Sequence, residues 1–343
     1  MPNTTQRVSL DQIAINKKLE SIFLPHIHVR REWKRAADNP DVPISADNRA
    51  KFVHYTSADA GLKIVESKRL WMRSTTCMAD YREVSHGYDL LLKYFRTEDK
   101  HSAFLAAMDD IRPGSAEAAI GMFDKWWTNI QVNTYITSVS EHVAATEDFF
   151  GRLSMWRAFG AGQPRVALVF SVPWESQATA ALGIMFGPVA YLSEASVLAA
   201  LDNCLTDARR ERDWLKTLPQ EQFQGAIFQM LASSVCCLKH EGFWEEREWR
   251  GVYLHGFGQK TLLERATEVI GGVPQPIFKV PFDATASPEL ADLDLARILD
   301  RVIIGRTSYG WVMYEAFVEA LAAAGAPDPA AKVKISNLPI REN

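Results

Sequence analysis

Apolar residues recur every three to four positions in some stretches of this chain and alternate with polar ones in others. Residues 10–37 follow the helical period, with a break at Pro25. "DNPDVPISADN" then sets two prolines among Asp and Asn residues and reads as a loop. "KFVHYTS" (51–57) has the β-branched and aromatic content of a short strand, and "RLWMRS" (69–74) of another. Between them Ser57 caps a helix whose apolar positions are Leu62, Ile64 and Val65. Residues 84–109 and 115–130 read as two helices separated by the breaker Pro113–Gly114.

Three strand candidates follow. "NTYITSVS" (133–140) alternates. "RVALVFSVP" (165–173) is a near-continuous apolar run, as expected of a strand covered on both faces. "GIMFGPVAYLS" (183–193) is broken by Gly187–Pro188. Val197, Leu198, Leu201, Leu205 and Ala208 mark one helix, and a second runs from Pro219 at its first position to Leu238. Strands at "EREWRGVYL", "PIFKVPFD", "ILDRVIIGRTS" and "AKVKISNLP" complete the pattern. The helix "GWVMYEAFVEALAAAG" lies between the last two, so the end of the chain predicts a β-α-β unit. Helices and strands come in blocks, which predicts an α+β fold: a central mixed or antiparallel sheet flanked by helices. The expected organisation is a helical N-terminal extension, 1–49, and a single α+β domain, 50–343, with helical insertions at about 84–130 and 194–240.

Composition narrows the function classes. With 343 residues, 47% of them hydrophobic, the chain can bury a large core. A net charge of −4 excludes a large positive field for wrapping duplex nucleic acid. Its four cysteines, Cys77, Cys204, Cys236 and Cys237, form no zinc spacing and fit a reducing compartment. The polar start has no apolar h-region, and no uninterrupted apolar run is long enough for a bilayer. A cytoplasmic protein with no membrane partner is expected.

The chemistry concentrates in "KHEGFWEEREWRGVYL" (239–254), where Glu245, Glu246 and Glu248 stand beside Trp244 and Trp249. As a strand, this stretch puts Glu246, Glu248 and Arg250 on one face, continued by Val252, with Glu245 on the other. Glu248 then falls at the edge of the core, where a carboxylate needs a positive or hydrogen-bonding partner. As a helix turn, the same residues give an ordinary surface pair, Glu246 with Arg250. Other candidates are Trp156, to stack on a base or close the core, and Arg157, whose planar fork suits phosphate. Asp80 and Glu83 sit in the loop-like "STTCMADYRE", where Asp80 also suits a helix cap. No Walker loop, dinucleotide fingerprint or GxSxG elbow is present.

Eight phrases in order resemble one family: "HYTS", "LWMRSTTCMADYRE", "YITSVSE", "MWRAFGAG", "VALVF", "KHEGFWEEREWR", "VIIG" and "VKISNLPIR". Spread over residues 50–342, they look like the bacterial domain-of-unknown-function family 2971. This chain has Ala79–Asp80 where that family carries Asn-Asp. A looser similarity joins "VHYTS", a helix and "SKRLWMRS" to the opening of ADP-ribosyltransferase folds. That resemblance implies NAD as the cofactor-substrate, with His54 donating to its ribose, Thr56 beside it, and a late strand opening on a catalytic Glu, here Glu248. Arg157 would hold a phosphate, and Trp156 or Tyr135 a ring. It implies an enzyme or effector that modifies an unknown macromolecular acceptor, in bacterial defence or as a toxin. A homo-oligomer or a regulatory partner protein is left open. Two alternatives stand beside it: a non-enzymatic ligand-sensing or protein-interaction domain, and a metal-dependent nuclease built on Asp80, Glu83, Glu246, Glu248 and Lys239.

Overall fold

The computed structural model describes residues 10–38, 49–77, 82–158, 163–173, 176–258 and 260–338. The strands are β1 (Arg49–Ser57), β2 (Arg69–Ser74), β3 (Thr134–Glu141), β4 (Arg165–Pro173), β5 (Met185–Pro188), β6 (Ala190–Tyr191), β7 (Leu238–Lys239), β8 (Glu248–Leu254), β9 (Glu264–Ile270), β10 (Val273–Pro281), β11 (Leu299–Ile304) and β12 (Val333–Ile335). Ten of them form one sheet, in the order β12-β11-β4-β1-β3-β2-β10-β9, with β8 and then β5 attached at β3. Pairing is antiparallel except between β11 and β12, which helix Gly310–Ala323 connects as the expected β-α-β unit. β6 and β7 make a small parallel pair of their own. The fold is α+β, with helices flanking a large mixed sheet.

β2 and β4 span the residues their patterns predict. Ser57 caps helix Ala58–Ser67 through its side chain, as its hydroxyl chemistry predicts. Residues 84–109 are two helices rather than one, Arg82–Arg96 and Glu98–Asp109, parted at Thr97. Pro219 sits one place before the helix Gln220–Cys236 that it was expected to begin inside. β9 has no counterpart in the sequence reading. The signal for it was present, since Gly271 and Gly272, both at positive φ, make the tight turn that pairs β9 with β10.

The two helical insertions do not stand apart from the N-terminal helices. Phe23 and Ile27 share one apolar cluster with Tyr94, Phe104, Phe123, Leu201 and Phe228, closed against Ile136 and Val252 of the sheet. Helices Leu10–Phe23 and Pro25–Asp38 are therefore part of the main core. A second cluster joins helices Ala58–Ser67 and Gly310–Ala323 to β4, β10 and β11.

One close approach within the helical layer depends on a missing side chain. A Cβ on Gly87 would lie 2.5 Å from the Ser234 carbonyl oxygen and 2.8 Å from the Val235 Cα, both backbone of the facing helix. Backbone cannot rotate aside, so Gly87→Ala should force the helices apart and destabilise the protein by about 1–3 kcal/mol. An unchanged urea midpoint for that variant would count against the packing described.

Candidate functional site

The ladder of β3 explains where a cavity can form. β8 covers one edge of β3 from Thr134 to Ser140. The other edge is shared: β1 pairs with it at Ser140 and Glu141, and β2 at Tyr135 and Ile136. Between those contacts β1 and β2 splay apart, leaving Thr137, Ser138 and Val139 without a strand neighbour on that side. Helix Ala58–Ser67 joins the two diverging strands. A cavity of about 680 Å³ occupies the split, within the range of small-molecule sites.

His54, Thr56, Ser138, Lys239, Glu246 and Glu248 all line this cavity. Ser138 connects the two sequence-predicted anchors. Its hydroxyl donates to Glu248 Oε1 at 2.5 Å, and its backbone carbonyl accepts from His54 Nδ1 at 2.9 Å. The histidine thus takes up a carbonyl that the split leaves without a ladder partner. Burial lowers the His54 pKa, and the bond to Ser138 raises it by less, so the ring is neutral near pH 7. A neutral ring with its proton on Nδ1 has an acceptor at Nε2. The expected role is corrected accordingly: His54 can accept a bond from a ligand hydroxyl, not donate one.

Glu248 opens β8 and is 7% exposed. Burial pushes its pKa up, but the Arg250 charge and hydrogen bonds, Lys239 and Ser138 together hold it below the usual carboxylate range. Arg250 donates through Nε to Oε1 at 2.8 Å and through a second nitrogen to Oε2 at 3.1 Å. Its third nitrogen reaches the Cys236 carbonyl at 2.8 Å, tying β8 to the end of the helix Gln220–Cys236. Lys239 sits 3.6 Å from Glu248 and 2.8 Å from Glu246. Glu248 and Arg250 share a face of β8 as the strand reading predicts, whereas Glu246 lies in a 3-10 turn, Glu241–Glu246, before the strand and joins them through Lys239. Glu245 is exposed. "FWEEREWR" is therefore turn first and strand second, with Arg247 as the joint at φ +44°.

Three expected ligand contacts fall elsewhere. Tyr135 is buried in the core against Phe278, ring centroids 4.7 Å apart, at the end of β3 that β2 covers, and does not line the cavity. Trp156 packs edge-on against Tyr55 and donates to the Phe150 carbonyl at 2.6 Å, so it closes the core rather than holding a base. Arg157 is exposed and does not line the cavity. The cations that do are Lys239 and Arg250, from the same stretch as Glu248, and Lys63 and Arg73, whose association with this site no short motif announces. Asp80 lies outside the described residues, as does the placement of the Glu83 side chain.

Among the described residues, no group of three or more His, Cys, Asp or Glu side chains is arranged to hold a metal ion. No helix among them is long and apolar enough to cross a membrane. The four cysteines are free, and burial raises the Cys237 thiol to about 11, which leaves it a poor nucleophile. An apolar cavity of about 710 Å³ lies against Phe52, Phe170 and Phe282 and contains none of the predicted site residues. No family model, curated protein or solved structure matches the chain.

Proposed function

We propose that the split-sheet cavity binds NAD and that the protein transfers its ADP-ribosyl group to an acceptor. The observation that carries this reading is the convergence of His54 and Glu248 on one cavity through Ser138. In the reaction, the bond between nicotinamide and ribose breaks and its electron pair leaves with nicotinamide. A nucleophile on the acceptor then bonds to the ribose carbon and gives up its proton. Positive charge builds on the ribose between those events, and a fixed carboxylate stabilises it. Glycosidases set carboxylates against a similar cation. Glu248 suits that role because Arg250 and Ser138 fix its position before any substrate arrives. Its lowered pKa makes it a weak base, so its part is electrostatic and not proton removal. His54 Nε2 accepts from a ribose hydroxyl, Thr56 lies beside it, and Lys63 and Arg73 are the nearby cations for the diphosphate.

The reading is tested by incubating the purified chain with NAD labelled on the adenylate and following nicotinamide release and label transfer. Binding with slow release of nicotinamide is expected even without an acceptor, since water can take its place. Neither binding nor release would remove the reading.

One observation favours a second, non-enzymatic reading. Both Glu248 oxygens are engaged by Arg250, and Arg250 also anchors the preceding helix. On that reading the ion pair holds the sheet to the helical layer, and the cavity only senses a ligand.

A further inference from the structure

A second cavity, of about 900 Å³, meets the first at Glu248. Its walls come from helix Pro25–Asp38, the start of β1, the end of β3, Tyr191, and the turn that carries Trp244 and Arg247. Five cationic side chains line it: Arg30, Lys34, Arg49, Lys51 and Arg247. Three carboxylates face them, and each is already engaged. Glu141 is held by Arg30 and by the Trp249 indole at 2.9 Å, Asp38 by Lys34 at 2.7 Å, and Glu248 by Arg250 from the first cavity. Arg30 and Lys34 are thereby paired within the lining, and Lys51 is paired from outside it with Asp300 at 3.2 Å, yet five cations still outnumber three carboxylates on a chain whose net charge is −4.

Two tryptophans meet the solvent at this cavity. Trp33 is 48% exposed and Trp244 57% exposed, and the Arg30 guanidinium lies over the Trp33 ring at 4.2 Å. Large aromatic faces left open beside arginines are the equipment for a ligand that is both planar and anionic. Arg247 adds a third observation. Its backbone is left-handed, a conformation that favours glycine, and its carbonyl is tied to the Glu141 N–H at 3.0 Å. A guanidinium is carried there despite the strain, in the wall of this cavity.

We propose that this cavity binds a nucleotide unit, its phosphate among the arginines and its base against the tryptophan rings. A phosphate alone would need no aromatic faces, and an uncharged ring would need no excess of cations. The proposal does not depend on NAD occupying the first cavity.

The test is a titration of the full chain with AMP and, separately, with a single-stranded oligoadenylate, read by tryptophan fluorescence and calorimetry. The wild type should bind at least one. Tighter binding of the oligomer identifies the unit as part of a strand, and equal or tighter binding of AMP identifies a free nucleotide; either supports the site. Arg247→Gly, Trp33→Ala and Trp244→Ala should each weaken binding by on the order of tenfold. Arg247→Gly should melt no lower than wild type, because glycine takes a positive φ without strain. Both tryptophans are exposed, so their removal also leaves the fold in place. Binding that all three variants leave unchanged would place the ligand elsewhere and overturn the proposal. So would the failure of both probes to bind at millimolar concentration.

Discussion

Arg250→Met should remove about 3–5 kcal/mol of folding stability, the largest loss expected from any single substitution at the site. The variant leaves Glu248, 7% exposed, buried without its bidentate partner, and Lys239 at 3.6 Å compensates only in part. It also strips the Cys236 carbonyl of its donor. The measurement is the urea or guanidinium midpoint at constant slope. The double variant Arg250→Met, Glu248→Met should recover part of the loss, because an apolar pair no longer buries an uncompensated charge. The same ion pair fixes an acid response. The folded pKa of Glu248 lies below the ordinary value of 4.5, so its stabilisation is complete above that value. It fades as pH falls through the folded pKa, and in Arg250→Met that acid slope should shrink. A midpoint within experimental error of wild type would show that the pair carries little of the fold.

Glu248→Gln separates catalysis from structure. If the carboxylate stabilises a ribosyl cation, NAD turnover in this variant should fall by roughly 10²–10³-fold, with the loss in kcat and not in KM. Glutamine is nearly isosteric, and its carbonyl can still accept from Arg250 or Ser138. Its folding midpoint should therefore move less than that of Arg250→Met. Turnover that persists while stability drops would assign Glu248 to the ion pair alone and favour the non-enzymatic reading. Measuring both quantities on one preparation makes the outcomes distinct.

Much of this architecture was written in local pattern. The apolar run 165–173 is β4, and the alternation at 133–140 is β3. Strand parity put Glu248 and Arg250 on one face and Trp249 on the other, where it packs against Phe52. Such features are legible because each is decided by residues a few places apart. Tyr135, Trp156 and Arg157 were misassigned to ligand contacts for the converse reason. An aromatic or a guanidinium has the same local signature in a core, on a surface or in a cavity, and only its neighbours tell these apart.

The site itself depends on the feature least visible in the chain. Val53 pairs with Ser140, and Ser140 with Glu248, so these three share a face. His54, next to Val53, faces the other way. In an unbroken sheet His54 and Glu248 would lie on opposite sides and no cavity could hold both. They meet because β1 and β2 contact β3 only at its two ends, which opens the sheet between them and lets His54 reach the Ser138 carbonyl. The sequence determined most of the strands, the parity of Glu248 and the cap that turns β1 into a helix. Tertiary structure alone decided that the strands part, because that outcome rests on how β1 and β2 divide one edge of β3, a strand distant from both in the chain.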